Sequence, residues 1–302
     1  MITVFGSINV DYVFQVASIP APGETLLATD LTLLPGGKGG NQALAAARAG
    51  ARVNMVGAVG NDGRGDIALA GLLAAKVNTS AVATQDEPTG TATINVDAQG
   101  ENSIVVYAGA NESVSHRQLD AALLSADTIL MLQMEIPIAQ MTAAIKEART
   151  VGATVVWNLA PMQPVALEAL HGVDYLMINE IELDQLGQGL GLATTNTPHN
   201  KATRLAELTD CSVVVTLGAD GSLGVREGVV IALPALPIAP VDTVGAGDAF
   251  AGAFAAALDA GQPFEQAMRW GNVAGALACL NTGAQSSLPS QQDIEDYLPK
   301  LV

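Results

Sequence analysis

Six short apolar runs alternate with helical patterns along this chain, and each run leads into glycine or a polar side chain. The runs are Ile2–Phe5, Val53–Val59, Thr128–Leu132, Thr154–Trp157, Tyr175–Ile178 and Val213–Leu217. Between them, helices are predicted near 41–50, 63–76, 138–150, 200–209 and 248–260. In the third, Ile138, Met141, Ile145 and Ala148 share one stripe, and Gly152 stands ready to end it. Alternation of this kind predicts an α/β fold in three layers, a mostly parallel sheet with helices on both faces. After the runs come Gly6, Ser7, Asn9 and Asp11; Gly60, Asn61 and Asp62; Gln133 and Glu135; Asn158; Asn179 and Glu182; and Gly218. Open sheets bind ligands beyond the carboxyl ends of their strands, so these polar groups mark a binding edge.

Two stretches break the rhythm. Residues 12–34 and 88–108 read as extended chain, and Thr91–Val96, a turn at Gly100 and Ile104–Tyr107 form a predicted hairpin. A small second sheet is expected there, able to cover a cleft as a lid or to pair with a second copy. No linker or internal repeat divides the chain, so residues 1–302 are expected to form a single domain into which the lid is inserted.

The apolar fraction of 49% against 14% charged residues supports a large core. The net charge of −17 argues against nucleic acid or anionic membrane as partner, because both need a basic footprint. The same field repels free ATP, so any nucleotide must be held by local amide dipoles and a divalent cation. Cys211 and Cys279 lack metal or redox spacing, as do His116, His171 and His199, and two buried thiols suit a reducing compartment. The start of the chain enters a strand pattern without a targeting signal, and the uncharged stretch 271–292 is too polar to span a membrane. The cytoplasm is the expected location.

The strongest local signal is Asp242-Thr243-Val244-Gly245-Ala246-Gly247-Asp248 before the apolar helix pattern Ala249–Leu258. Glycines at a helix start let backbone N–H groups converge on an anion, and the helix dipole favours it. A carboxylate in the same turn would repel a bound phosphate. It fits if Asp248 takes a proton from an attacking hydroxyl while the amides of Gly245, Ala246 and Gly247 hold the transferring group. The competing role for Asp248 is a plain helix N-cap; the two preceding glycines favour catalysis. Neither a P-loop nor a G-x-G-x-x-G turn is present, since Lys38 lacks the following Ser or Thr and Gly6 is followed by Ser7-Ile8-Asn9.

Gly36-Gly37-Lys38-Gly39-Gly40-Asn41 leads into a predicted helix Gln42–Ala49. A tight turn would explain the glycines, but Lys38 is one of only five lysines and Asn41 both donates and accepts, which favours a hydroxylated ligand. Asn179-Glu180-Ile181-Glu182 opens another helix, where the acids are equally suited to capping or to holding Mg²⁺ through water.

Taken with Pro22-Gly23-Glu24-Thr25, Ala108-Gly109-Ala110-Asn111 and Gly283-Ala284-Gln285, these segments resemble, in order and over nearly the whole chain, the ribokinase family of carbohydrate kinases. The resemblance implies phosphoryl transfer from ATP to the primary hydroxyl of a pentose, ribose before deoxyribose, a fructose-type sugar or a nucleoside, with a catalytically silent sugar-binding protein as the distant alternative. It implies that Asn9, Asp11, Gly37, Lys38, Asn41 and Glu135 hold the sugar, that Ala92 and Ile94 cover it from the lid, and that Asp248 is the base beside the Gly245–Gly247 amides. Asn179, Thr216, Gly218, Gly221 and Asn272 would border the nucleotide, and Glu182 would lie near Mg²⁺. Asp242, Val244, Asn281, Gly283 and Ser287 match the family's K⁺ loop, and the lid implies a homodimer. Two departures bear on the substrate: Asn158-Leu159-Ala160-Pro161 where the family reads Asn-Pro-Ala-Pro, and Gly40 where it has Ala.

Overall fold

The computed structural model describes residues 1–191 and 197–301. From the start of the chain come β1 (Ile2–Phe5), β2 (Asn9–Gln15), β3 (Asp30–Gly36), α1 (Lys38–Arg48), β4 (Val53–Gly60), α2 (Gly65–Ala74) and β5 (Asn78–Gln85). The middle of the chain gives β6 (Gly90–Val96), β7 (Asn102–Tyr107), β8 (Ile129–Leu132), α3 (Ile138–Val151), β9 (Thr154–Asn158), α4 (Leu167–Leu170), β10 (Tyr175–Asn179) and α5 (Glu180–Gly189). The rest is α6 (Pro198–Thr209), β11 (Ser212–Thr216), β12 (Ser222–Arg226), β13 (Val229–Leu233), α7 (Ala246–Asp259), α8 (Phe264–Ala278) and α9 (Gln291–Tyr297).

A nine-stranded sheet runs β13-β12-β11-β10-β9-β8-β1-β4-β5, with the β11–β12 and β12–β13 pairings antiparallel and the others parallel. Its central strands are buried on both faces, which is why they read as continuous apolar runs. Alternate side chains divide between two cores. Ile2, Val4, Val156, Met177 and Val214 face α1, α2, α7, α8 and α9. Phe5, Val155, Trp157, Leu176, Ile178 and Val213 face α3, α4, α5 and α6. The three-layer α/β expectation is met.

The two extended stretches form a separate sheet in the order β3-β2-β6-β7, and β6 and β7 make the expected hairpin. In this sheet Asp11 lies opposite Ala92, and Val13 opposite Ile94. Asp11, Val13, Ala92 and Ile94 therefore share one face, together with Ile104 and Val106 of β7.

Two helix starts differ from expectation. Helix α1 begins at Lys38, not Gln42, so Gly39 and Gly40 belong to its first turn rather than to a loop before it. A Cβ on Gly39 would stand 2.5 Å from the Ser7 nitrogen, and the bare backbone lets that turn lie directly on the end of β1. Helix α7 begins at Ala246 with Gly245 as N-cap at φ 81, a left-handed value that favours glycine. Asp248 is thus inside the first turn and is not the cap. Strands β5, β12 and β13 and helices α8 and α9 were not marked by the sequence pattern. β5 carries no fully buried side chain, whereas α8 does carry a stripe, with Phe264, Ala267, Met268 and Gly271 buried against the polar Glu265, Gln266 and Arg269.

Candidate active site

The carboxyl ends of β1, β8 and β10 and the starts of α1 and α7 meet at one edge of the large sheet. At its base Glu135 is fixed by two donors: Ser7 Oγ donates to its Oε2 at 2.6 Å, and the Lys38 backbone N–H donates to the same oxygen at 2.8 Å. Placing this carboxylate on the first N–H of α1 also uses the helix dipole. Asn9 is held from behind, because Asn111 donates to its Oδ1 at 2.8 Å while Asn111 Oδ1 accepts from the Ile8 N–H at 2.9 Å.

Asp11 reaches over Gly36, where a Cβ would stand 2.2 Å from its Oδ2. Burial, with the Glu135 and Asp248 carboxylates adding to it, pushes the Asp11 carboxyl up to about 7. Its Oδ1 is buried without a hydrogen-bond partner among the described residues. The Lys38 ammonium has the opposite balance: the Asp248 carboxylate raises it, against the cost of burial, with help from Glu135 and Glu182. Four carboxylates and one ammonium therefore form one charge cluster. Such an arrangement offers several acceptors to hydroxyl donors and one cation to the charge that develops on phosphoryl transfer.

Asp248 is gripped on both oxygens. Asn41 Nδ2 donates to Oδ2 and Gln42 Nε2 donates to Oδ1, each at 2.9 Å. The contact depends on close packing of α1 against α7 one turn further along: a Cβ on Gly252 would stand 2.5 Å from Ala45 Cβ. Glycine there lets the two helices approach until the Asp248 carboxylate meets the amides.

On the other side of the α7 start lies a cavity of 520 Å³ bordered by Thr216, Gly218, Gly221, Asn272, Ala246, Gly247 and apolar neighbours. Asn272 donates to the Pro234 carbonyl at 3.2 Å, which fixes the end of β13 to α8. The backbone N–H groups of Gly245, Gly247 and Asp248 have no acceptor among the described residues, whereas that of Ala246 makes a long 3.3 Å bond to the Thr243 carbonyl. Three free donors at a helix start suit an anion. Asn179 and Glu182 form a reciprocal capping box at α5, with Glu182 N–H to Asn179 Oδ1 at 2.8 Å and Asn179 N–H to Glu182 Oε2 at 3.0 Å. Burial raises the Glu182 carboxyl, offset by that amide and by Lys38. Capping is thus realised, and only Oε1 is left for another ligand.

Two loops pack behind the α7 start. Asp242 ties them together by accepting from the Val244 N–H at 3.0 Å and the Gly283 N–H at 2.9 Å. Ser287 is buried beside them, and Arg48 of α1 holds the second loop through the carbonyls of Gln285 and Leu288, at 3.0 and 2.7 Å. With Asn281, this set is all oxygen with one formal charge, which fits a weakly held monovalent cation rather than zinc or copper.

The structure brings together the residues expected to hold a sugar and those expected around a nucleotide, with Ala92 and Ile94 on the Asp11 side of the small sheet. It also adds residues given no role from sequence: Asn111, Gln42 and Arg48. The first two stand inside motifs that were visible, but their contacts cross the chain and leave no local signature.

A family model described as "pfkB family carbohydrate kinase" matches residues 1–291. A ribokinase from Haemophilus influenzae is 36% identical over 301 residues, covering 98% of each chain. A crystal structure of ribokinase from Thermotoga maritima superposes with a TM-score of 0.92 at 34% identity, covering 99% of each chain. Ribokinase from Arabidopsis thaliana, solved in complex with ribose and ATP, superposes with a TM-score of 0.86 at 30% identity over 98% of each chain.

Proposed function

This chain belongs to the pfkB family of carbohydrate kinases, and we propose that it transfers the γ-phosphoryl group of ATP to the primary hydroxyl of D-ribose, giving ribose 5-phosphate and ADP. One observation carries the reading: the first turn of α7 stands between two sites. Ala246 and Gly247 border the 520 Å³ cavity, and the next residue, Asp248, belongs to the cluster of Asp11, Lys38 and Glu135.

In this mechanism Asp248 accepts the hydroxyl proton as the sugar oxygen attacks the γ-phosphorus, and the bond to the ADP oxygen breaks. The N–H groups at the α7 start and the Lys38 ammonium stabilise the charge on the transferring group. Asn9, Asp11, Gly37, Lys38, Asn41 and Glu135 hold the ring, and Ala92 and Ile94 exclude water above it. Asn179, Thr216, Gly218, Gly221 and Asn272 border the nucleotide. Glu182 would hold Mg²⁺ through water by its uncapped oxygen, and the metal would neutralise triphosphate charge. Asp242, the Val244 and Gly283 carbonyls, Asn281 and Ser287 would hold K⁺, which steadies the loop that presents the anion-binding amides.

Lys38 is the cation of the carboxylate cluster, a thin provision for a second phosphate on the acceptor, so an unphosphorylated sugar is preferred. Tyr12, a candidate for stacking on a nucleobase, lies under the Arg64 guanidinium at 5.7 Å. A homodimer through the small sheets accounts for the exposure of Ile104 and Val106 on the Asp11 face. No helix among the described residues is long and apolar enough to cross a membrane. We place the reaction in the cytoplasm, where ATP is available.

The test is ATP-dependent phosphorylation of a panel containing ribose, deoxyribose, fructose and adenosine. Ribose is expected to give the highest kcat/KM, and Asp248→Asn to lower kcat by about 100-fold or more. Asp248→Asn turnover within a few-fold of the parent overturns the assignment of the base.

A further inference from the structure

Resting on the reading of Asp248 as the base, we propose that Gln133 and Gln285 are positioning residues that aim it, each through a second amide. Two relays converge on the carboxylate. Gln133 Nε2 donates to Gln42 Oε1 at 2.9 Å, and Gln42 Nε2 donates to Asp248 Oδ1 at 2.9 Å. Gln285 Nε2 donates to Asn41 Oδ1 at 3.1 Å, and Asn41 Nδ2 donates to Asp248 Oδ2 at 2.9 Å.

The direction of both relays follows from the carboxylate. An ionised Asp248 only accepts, so Asn41 and Gln42 must turn their NH₂ groups toward it. Their carbonyl oxygens then point away and need donors, which Gln133 and Gln285 supply. The polarity runs out at the far end: Gln133 Oε1 and Gln285 Oε1 are buried with no hydrogen-bond partner among the described residues. An amide that only filled space could present either end, and a buried orphan acceptor at the end of each of two relays would be a costly accident. Local rules broken in this way are expected where a site imposes them. The two terminal glutamines come from separate parts of the chain, one following β8 and the other in the loop held by Arg48, and their relays end on different oxygens of the base. Together they fix the plane of the carboxylate, and with it the lone pair offered to the sugar hydroxyl.

The test compares Gln133→Met, Gln285→Met, Gln133→Glu, Asp248→Asn and the parent for kcat, KM for ribose and ATP, and Tm. Each Met variant is expected to lose about 10-fold in kcat through misaligned geometry, with both KM values within about twofold and Tm close to the parent, because the orphan acceptor that leaves with the glutamine offsets the one created on Gln42 or Asn41. In Gln133→Glu only the neutral form of the introduced carboxyl can donate to Gln42, so kcat of this variant relative to the parent is expected to rise as pH falls. Parental kcat in both Met variants, beside an impaired Asp248→Asn, overturns the positioning role alone. A Gln133→Glu to parent ratio that is flat with pH also overturns it, and remains informative if Gln133→Met prevents folding. An Asp248→Asn enzyme as active as the parent overturns the underlying assignment instead.

Discussion

Gly252 of α7 lies so close to Ala45 of α1 that one added carbon would stand 2.5 Å from the Ala45 Cβ and 2.7 Å from the Ala46 nitrogen. Both helices carry site residues one turn earlier, Asp248 on α7 and Asn41 on α1. The spacing between helix backbones therefore sets the distance between side chains at the site.

Gly252→Val is expected to force the helices apart and to cost about 1–3 kcal/mol by overpacking. Because the shift lengthens the Asn41 and Gln42 contacts to Asp248, kcat should fall more steeply than the folded fraction. Thermal unfolding and single-turnover rates on the same sample check this.

Asp11 gives a pH dependence whose sign is fixed. Its carboxyl lies at about 7 in the folded chain against 3.8 ordinarily, so between these values the folded state holds a proton the unfolded state has lost. Stability from this group is complete below pH 4 and is lost as pH rises through 7, a loss of up to about 4 kcal/mol. Asp11→Asn is expected to raise Tm over the parent, and by more at pH 8 than at pH 5. It should also raise the KM for ribose by removing an acceptor. A Tm gap independent of pH would contradict the origin of the shift.

Glu182 serves a cap and, in the proposed mechanism, a metal. Glu182→Gln keeps an oxygen for the Asn179 N–H and removes the charge, so Tm should hold while the Mg²⁺ concentration for half-maximal activity rises several-fold. Glu182→Ala removes the cap as well and should cost about 1 kcal/mol. A magnesium titration of the two variants, with melting curves, separates the roles.

On the small sheet, Val106 is 52% exposed and Ile104 49% exposed on the face that carries Asp11. If a second copy covers this face, Val106→Glu is expected to shift the protein from dimer to monomer in light scattering. Ribose KM should rise in step, because the cover over Ala92 and Ile94 is lost. A parental dimer in that variant would place any contact elsewhere.

Much of this was legible in the chain. Buried parallel strands demand apolar runs, and strand-to-helix turns demand glycine, so the runs from Ile2–Phe5 to Val213–Leu217 mark the central sheet. Segments around Asp11, Lys38, Glu135 and Asp248 stand out because their chemistry is odd for turns. The helix starts at Lys38 and Ala246 differ by a few residues because glycine is a poor helix former by itself; Gly39 is accepted in α1 through packing against Ser7, and Gly245 caps α7 against Ala284. Edge strand β5 escaped because it has no fully buried side chain to make a pattern.

The sequence by itself determined the alternation of elements, the residues at the binding edge and the absence of any familiar phosphate loop, since each depends on neighbours within a few positions. Tertiary structure alone decided that Asn41 and Asp248, 207 residues apart, would meet at 2.9 Å. It alone decided that Asp11 would hold its proton near neutrality. Pattern and propensity act along the chain, whereas hydrogen-bond geometry and desolvation depend on which surfaces close packing brings together across it.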